Sequence, residues 1–193
     1  MVALVSQFGQ NLFVAFAVFG IALVAAAVVA LRRHTSGRPI LEPTAKVLAI
    51  GSALVTLAAT ALPPGPVRRY GFGDLVLHLG AAGLSNWQIL LDDPFSWEAL
   101  LISLNVVLYV PLGLLVLVGW RSGLKVAFGV CLGLSVAVET VQWAAFQRVA
   151  ALDDVLINVA GGVIGIILGA LFLRVLGVRG WVRGEPDPKL EVS

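Results

Sequence analysis

The chain has 193 residues, 59% hydrophobic and 12% charged, with a mean hydropathy of +0.98 and a formal net charge of +2. Soluble domains carry about 25% charge, so this composition excludes an ordinary soluble domain and indicates an integral membrane protein. The pI near 9.0 does not argue for a nucleic-acid partner, because the basic residues form short clusters between apolar runs, which is a signature of topology.

The first long apolar run, Leu12 to Leu31, ends at Arg32, Arg33 and His34, and residues 1 to 11 hold no basic side chain. A secretory signal has basic residues before its apolar region, so this run reads as a permanent first span with its N-terminus outside. Arg32 to Lys46 is expected to be a cytoplasmic loop broken by Ser36, Gly37, Pro39 and Pro43, and Ala45 to Leu62 a second span stopped by Pro63, Pro64, Gly65 and Pro66. Residues 1–62 thus form a two-helix hairpin. The stretch 63–98 is read as a non-cytoplasmic loop. Its DLVLHLGAAGLSNWQILL is apolar but interrupted, which suggests an interfacial or re-entrant helix near the headgroups.

Three further spans follow, from about Ala99 to Val118, Leu124 to Trp143 and Asp154 to Leu173, and residues 174–193 read as a disordered cytoplasmic tail. In this scheme Arg32, Arg33, Arg38, Lys46, Arg121, Lys125, Arg174, Arg179, Arg183 and Lys189 lie inside, and Arg68, Arg69 and Arg148 outside. Ten against three is the positive-inside asymmetry expected for five transmembrane helices in an all-α protein, N-terminus out and C-terminus in.

The last three spans carry polar residues that lipid rejects unless they face protein or water. They are Asn105, Ser135, Glu139, Gln142, Asp154 and Asn158. A carboxylate at mid-helix costs about 2.5–3.5 kcal/mol to insert, so Glu139 has a reason to be there. Ser135, Glu139 and Gln142 follow i, i+4, i+7 spacing and form one stripe. Asp154, Asn158, Gly161, Gly165 and Gly169 form another, in which the doubled Gly-xxx-Gly lets a neighbouring helix approach closely. With Arg148 in the intervening loop, these groups are expected to meet in an outward-facing polar cluster, with Asn105 and Gln142 at its wall.

Each residue has a sharp and a plain reading. Glu139 is either a proton- or ligand-binding carboxylate or a partner in a helix–helix hydrogen bond to Gln142, Asn105 or Asn158. Arg148 is either an anchor for a phosphate or carboxylate or the ion-pair partner of Asp153 or Asp154. Asp154 and Asn158 serve capping and packing as readily as ligand contact. His78 near Asp74 reads as structural, and no histidine lies near Ser135 in sequence, which argues against a serine hydrolase. No HExxH, P-loop or GxGxxG spacing occurs, and the lone Cys131 offers neither a disulfide nor paired metal ligands, so no cofactor or metal is expected.

The segments NVVLYVPLG and SVAVETVQWAAFQRVAALDDVLINVAGGVIG resemble the VanZ-like membrane proteins. The matching positions are Asn105, Pro111, Gly113, Ser135, Glu139, Gln142, Arg148, Asp154, Asn158, Gly161 and Gly165, within about residues 101–170, so that 99–173 would be a VanZ-like three-helix core. The resemblance implies a small helical protein of the bacterial cytoplasmic membrane and cell envelope, the family's namesake being associated with low-level resistance to the glycopeptide teicoplanin. It does not supply a mechanism. The leading expectation is a non-enzymatic envelope protein that binds a lipid-linked or amphiphilic ligand, such as a cell-wall precursor or glycopeptide antibiotic, at an outer-leaflet polar pocket. The alternatives are a membrane enzyme acting on a lipid headgroup with Glu139 as acid/base and Arg148 as anion holder, and a structural subunit of an envelope complex that uses its glycine face toward a helix partner.

The basic asymmetry generates the first prediction. In single-cysteine variants, a thiol reagent that cannot cross the membrane should label position 67 in intact cells and not position 36. Labelling at 36 and not at 67 would reverse the orientation.

Overall fold

A computed structural model describes residues 2–35, 39–60, 90–146 and 152–177. Its long elements are all helical: α1 (Val2–Thr35), α2 (Leu41–Thr60), α3 (Trp97–Trp120), α4 (Gly123–Phe146) and α5 (Leu152–Val175). Each of the five is long and apolar enough to cross a membrane. At 24 residues apiece, α3, α4 and α5 are about 36 Å long, sufficient for a ~30 Å hydrocarbon core. Every helix turns large aliphatic side chains outward, among them Ile21, Leu54, Val107, Val126 and Ile167, all at least half exposed. Such a surface is stable only against lipid.

Local chemistry sets the helix ends. The Ser96 hydroxyl accepts from the Ala99 amide at 3.1 Å and caps α3, which ends at Arg121 in the left-handed region with φ 52°. Only Arg121 and Ser122 separate α3 from α4, so the two helices must run antiparallel. Pro111 is accommodated within α3.

The cytoplasmic loop expected over Arg32–Lys46 is shorter than its breakers suggested. Helix α1 continues through Arg32, Arg33 and His34 to Thr35, and α2 begins at Leu41, with Pro43 in its first turn. Proline is tolerated there because first-turn amides have no partner within the helix. Lys46 lies on α2 and pairs with Glu42 one turn earlier, at 2.6 Å.

Contacts between helices define their directions. Gly119, near the end of α3, lies against the Ala45–Lys46 backbone at the start of α2, whereas Gln142, near the end of α4, reaches Thr60 at the end of α2. Helices α2 and α4 therefore point one way and α3 the other, and the chain leaves α2 and enters α3 at the same end of the bundle. Gly51 of α2 packs on Ala22 of α1, and Ala15 and Ala26 on the same face of α1 are also buried.

The closest interface joins α3 and α5. Gly161 meets the Val106 carbonyl, Gly165 the Val110 carbonyl and Gly169 the Leu114 backbone, so the partners advance by one turn together and the two helices are parallel. Gly113 reciprocates against the Gly162 backbone, and Gly162 also touches Cys131 of α4. The bundle thus has two chemically distinct ends. All described Lys and Arg residues, namely Arg32, Arg33, Lys46, Arg121, Lys125 and Arg174, lie toward one end, while Thr60, Gln142, Asp153 and Asp154 lie toward the other. The expected interfacial helix (75–91 for the most part), Arg68, Arg69, His78, Arg148 and the tail beyond 177 lie outside the described residues.

A β-carbon on Gly165 would overlap the Val110 carbonyl oxygen, whereas one on Gly133 would meet nothing within 4 Å. Gly165→Leu should therefore destabilise the detergent-solubilised protein by about 1–3 kcal/mol, and by more than Leu168→Ala, since Leu168 is 45% exposed. Gly133→Ala should leave the melting temperature unchanged. Comparable melting of the Gly165→Leu and Gly133→Ala variants would remove the α3–α5 contact as the stabilising interface.

Candidate functional site

The polar stripe of α4 faces inward. Ser135 is fully buried, and Glu139 and Gln142 are each 7% exposed. On α5, Asn158, which faces this stripe, is 2% exposed, Asp153 is 6% exposed and Asp154 is half-buried. Asn158 donates through Nδ2 to Ser135 Oγ at 3.1 Å, and the Ser135 hydroxyl makes a long bond of 3.5 Å to the Val155 carbonyl. These bonds lock α4 to α5 about 9 Å inside the start of α5. Because the two helices are antiparallel, Glu139 and Asp154, each one turn from this pair toward the polar end, come to the same level.

Helix α3 contributes a residue that the sequence reading passed over. Tyr109 is fully buried, and its phenol lies beside Ser135 and within electrostatic range of Glu139 and Cys131. Its oxygen forms no hydrogen bond of acceptable geometry among the described residues, and neither do Asn158 Oδ1 and Asp153 Oδ2. The signal for Tyr109 was present. It follows Asn105 by one helical turn, and a tyrosine deep in a span needs somewhere to put its hydroxyl.

Gln142 donates through Nε2 to the Thr60 carbonyl at 2.6 Å, satisfying one of the carbonyls left free at the end of α2. Asn105 is half-buried next to the Val106–Gly161 contact, and no hydrogen bond joins it to the cluster among the described residues. The place of Arg148 is outside the described residues. Gly161, Gly165 and Gly169 meet α3 along the same stripe of α5 that carries Asn158.

Three helices therefore converge on one buried group: Tyr109 from α3, Ser135 and Glu139 from α4, and Asn158 from α5. Glu139 and Asp154 each engage in further polar or electrostatic contacts. The arrangement can hold a polar group at membrane depth, where any polar atom lacking a partner is costly. Among the described residues no group of three or more His, Cys, Asp or Glu side chains is placed to hold a metal ion.

The polar positions and the glycines on which they depend lie within residues 67–173, the segment matched by the VanZ/LLP1 family. The chain belongs to the VanZ/LLP1 family. The match begins well before residue 101, so the family segment includes most of the stretch between α2 and α3 as well as the three-helix core. Helices α1 and α2 precede it, and the Gln142–Thr60 bond joins them to VanZ/LLP1 residues. No curated protein and no solved structure matches the chain.

The Ser135–Asn158 bond is measurable by a double-mutant cycle. Ser135→Ala and Asn158→Ala should each destabilise the protein in detergent, and together by less than their sum, with a coupling of about 0.5–1.5 kcal/mol. Strict additivity would show that the bond contributes nothing.

Proposed function

We propose that this multi-pass protein resides in the bacterial cytoplasmic membrane with its N-terminus outside and acts in the cell envelope as a binder of a lipid-linked or amphiphilic ligand. A cell-wall precursor or glycopeptide antibiotic is the kind of molecule meant. The ligand's polar head would enter from the outer leaflet at the end of the bundle formed by Gln142, Asp153 and Asp154, and its chains would lie along the apolar helix faces. One observation carries this reading. Buried polar atoms of Tyr109 and Asn158, on the two helices in closest contact, retain hydrogen-bonding capacity that the described protein does not use. Each such atom costs about 1–3 kcal/mol, and lipid cannot compensate it. The orientation is supported by the clustering of described basic residues at the opposite end.

The test is saturable binding of radiolabelled bacterial lipid extract to the purified protein, compared with Glu139→Gln. A binder should lose affinity in this variant while keeping its melting temperature to within a few degrees. An enzyme would keep binding and lose turnover of the extract. Unchanged binding and no turnover in either protein would leave only a structural role, such as packing against another membrane helix.

A further inference from the structure

Hydrogen bonding at the centre of the site leaves two atoms over, and they differ in kind. The Ser135 hydroxyl accepts from Asn158 Nδ2 at 3.1 Å and gives its proton toward the Val155 carbonyl at 3.5 Å. A hydroxyl has one proton and two lone pairs, so Ser135 retains one accepting position. The Tyr109 hydroxyl and Asn158 Oδ1 form no hydrogen bond among the described residues, on side chains 0% and 2% exposed. Both lie close to Ser135: the phenol is beside it, and Oδ1 shares a planar amide with the nitrogen that bonds to it. Turning the amide to find Oδ1 a partner elsewhere would break that bond. Tyr109 comes from α3 and Asn158 from α5, the two helices that the glycines hold in backbone contact.

Asn158 Oδ1 only accepts, while the phenol carries a proton to give. A group with acceptors alone, such as a carboxylate, phosphate or ether, would serve Tyr109 and leave Asn158 unsatisfied. A group with donors alone, such as an ammonium, would serve Asn158 and leave the phenol proton without an acceptor. An O–H group does both, accepting from Tyr109 and donating to Asn158. Both side chains are neutral, so this match holds whatever the charge and pairing of Glu139 and Asp154. It also suits the depth, because a neutral hydroxyl is far less costly to bring into an apolar interior than an ion. We infer that Tyr109 and Asn158 together hold one O–H group, supplied either by the alcohol of an amphiphile's head or by a buried water. The alcohol form rests on the binding reading given above and names its ligand class, whereas the water form does not need that reading. A water would place its second proton on the remaining Ser135 lone pair, making about three hydrogen bonds, as buried waters typically do.

The experiment uses the full chain in nanodiscs of phosphatidylcholine, whose headgroup brings no O–H, and measures saturable displacement of tritiated octadecanol by unlabelled octadecanol, 1-fluorooctadecane and octadecane. Fluorine is close to a hydroxyl in size and has no proton to give, so the comparison isolates the O–H. Octadecanol should compete roughly tenfold better than either of the others, the difference made by one well-placed hydrogen bond. Tyr109→Phe, which removes a single oxygen, should weaken octadecanol roughly tenfold and leave octadecane unchanged, with the melting temperature recorded to show that the variant folds. A high-resolution density map of protein prepared without alcohol covers the other source. If octadecanol has no advantage but a peak lies within hydrogen-bonding distance of both Tyr109 Oη and Asn158 Oδ1, the O–H group is water; the inference then stands and the binding reading loses its supporting observation. No alcohol advantage and no such peak would overturn the inference, as would a map in which Tyr109 Oη bonds directly to Ser135 or Asn158. An alcohol preference that survives Tyr109→Phe would place the O–H group elsewhere and overturn it as well.

Discussion

Backbone contact between α3 and α5 is the constraint from which the rest of the arrangement follows. Lipid is as apolar as leucine, so aliphatic side chains cannot drive helices together in a membrane as they do in water. Attraction must come from close van der Waals contact and from polar groups that lipid cannot satisfy. Gly161, Gly165 and Gly169 on α5, and Gly113 on α3, bring no side chain of their own to the contact and let carbonyl oxygens touch the opposing helix. Once α3 and α5 lie this close, α4 packs beside them, and its Ser135 and Cys131 meet Asn158 and Gly162.

The polar cluster and the glycine contact therefore support each other. The glycines bring the backbones close enough for Tyr109, Ser135 and Asn158 to share a small volume. The Asn158–Ser135–Val155 bonds fix the rotation of α4 about its axis, which apolar packing alone would leave weakly defined. A protein that needed only stability would do better with leucine at Glu139, since a carboxylate at this depth is costly to insert. Its retention beside a buried phenol and a buried amide is understandable if the polar group has work beyond packing.

The N-terminal hairpin lies outside the matched family segment yet is joined to it at both ends. Gly119 permits the end of α3 to lie on the start of α2, and Gln142 ties the end of α4 to the last carbonyl of α2. Gln142 therefore connects the helix bearing Glu139 to a hairpin preceding the family core. Any change in how α2 sits would reach the cluster through that bond.

Much was legible from the chain alone. Five apolar stretches, their alternation and the positions of the polar and glycine stripes follow from hydropathy, residue depth and the 3.6-residue period, all of which are local properties. The glycine stripe also announced a close crossing. Its partner stays open in the sequence, because a Gly-xxx-Gly repeat states that something approaches and carries no information about which helix does. Only the tertiary structure assigned the glycines to α3 and the Asn158 edge to α4. It likewise joined Gln142 to Thr60, 82 positions earlier in the chain, and brought Tyr109 into the cluster. Helical period determines which residues share a face. Which faces meet depends on the angle at which each helix rotates to bury its smallest side chains, and that is settled by all the helices together.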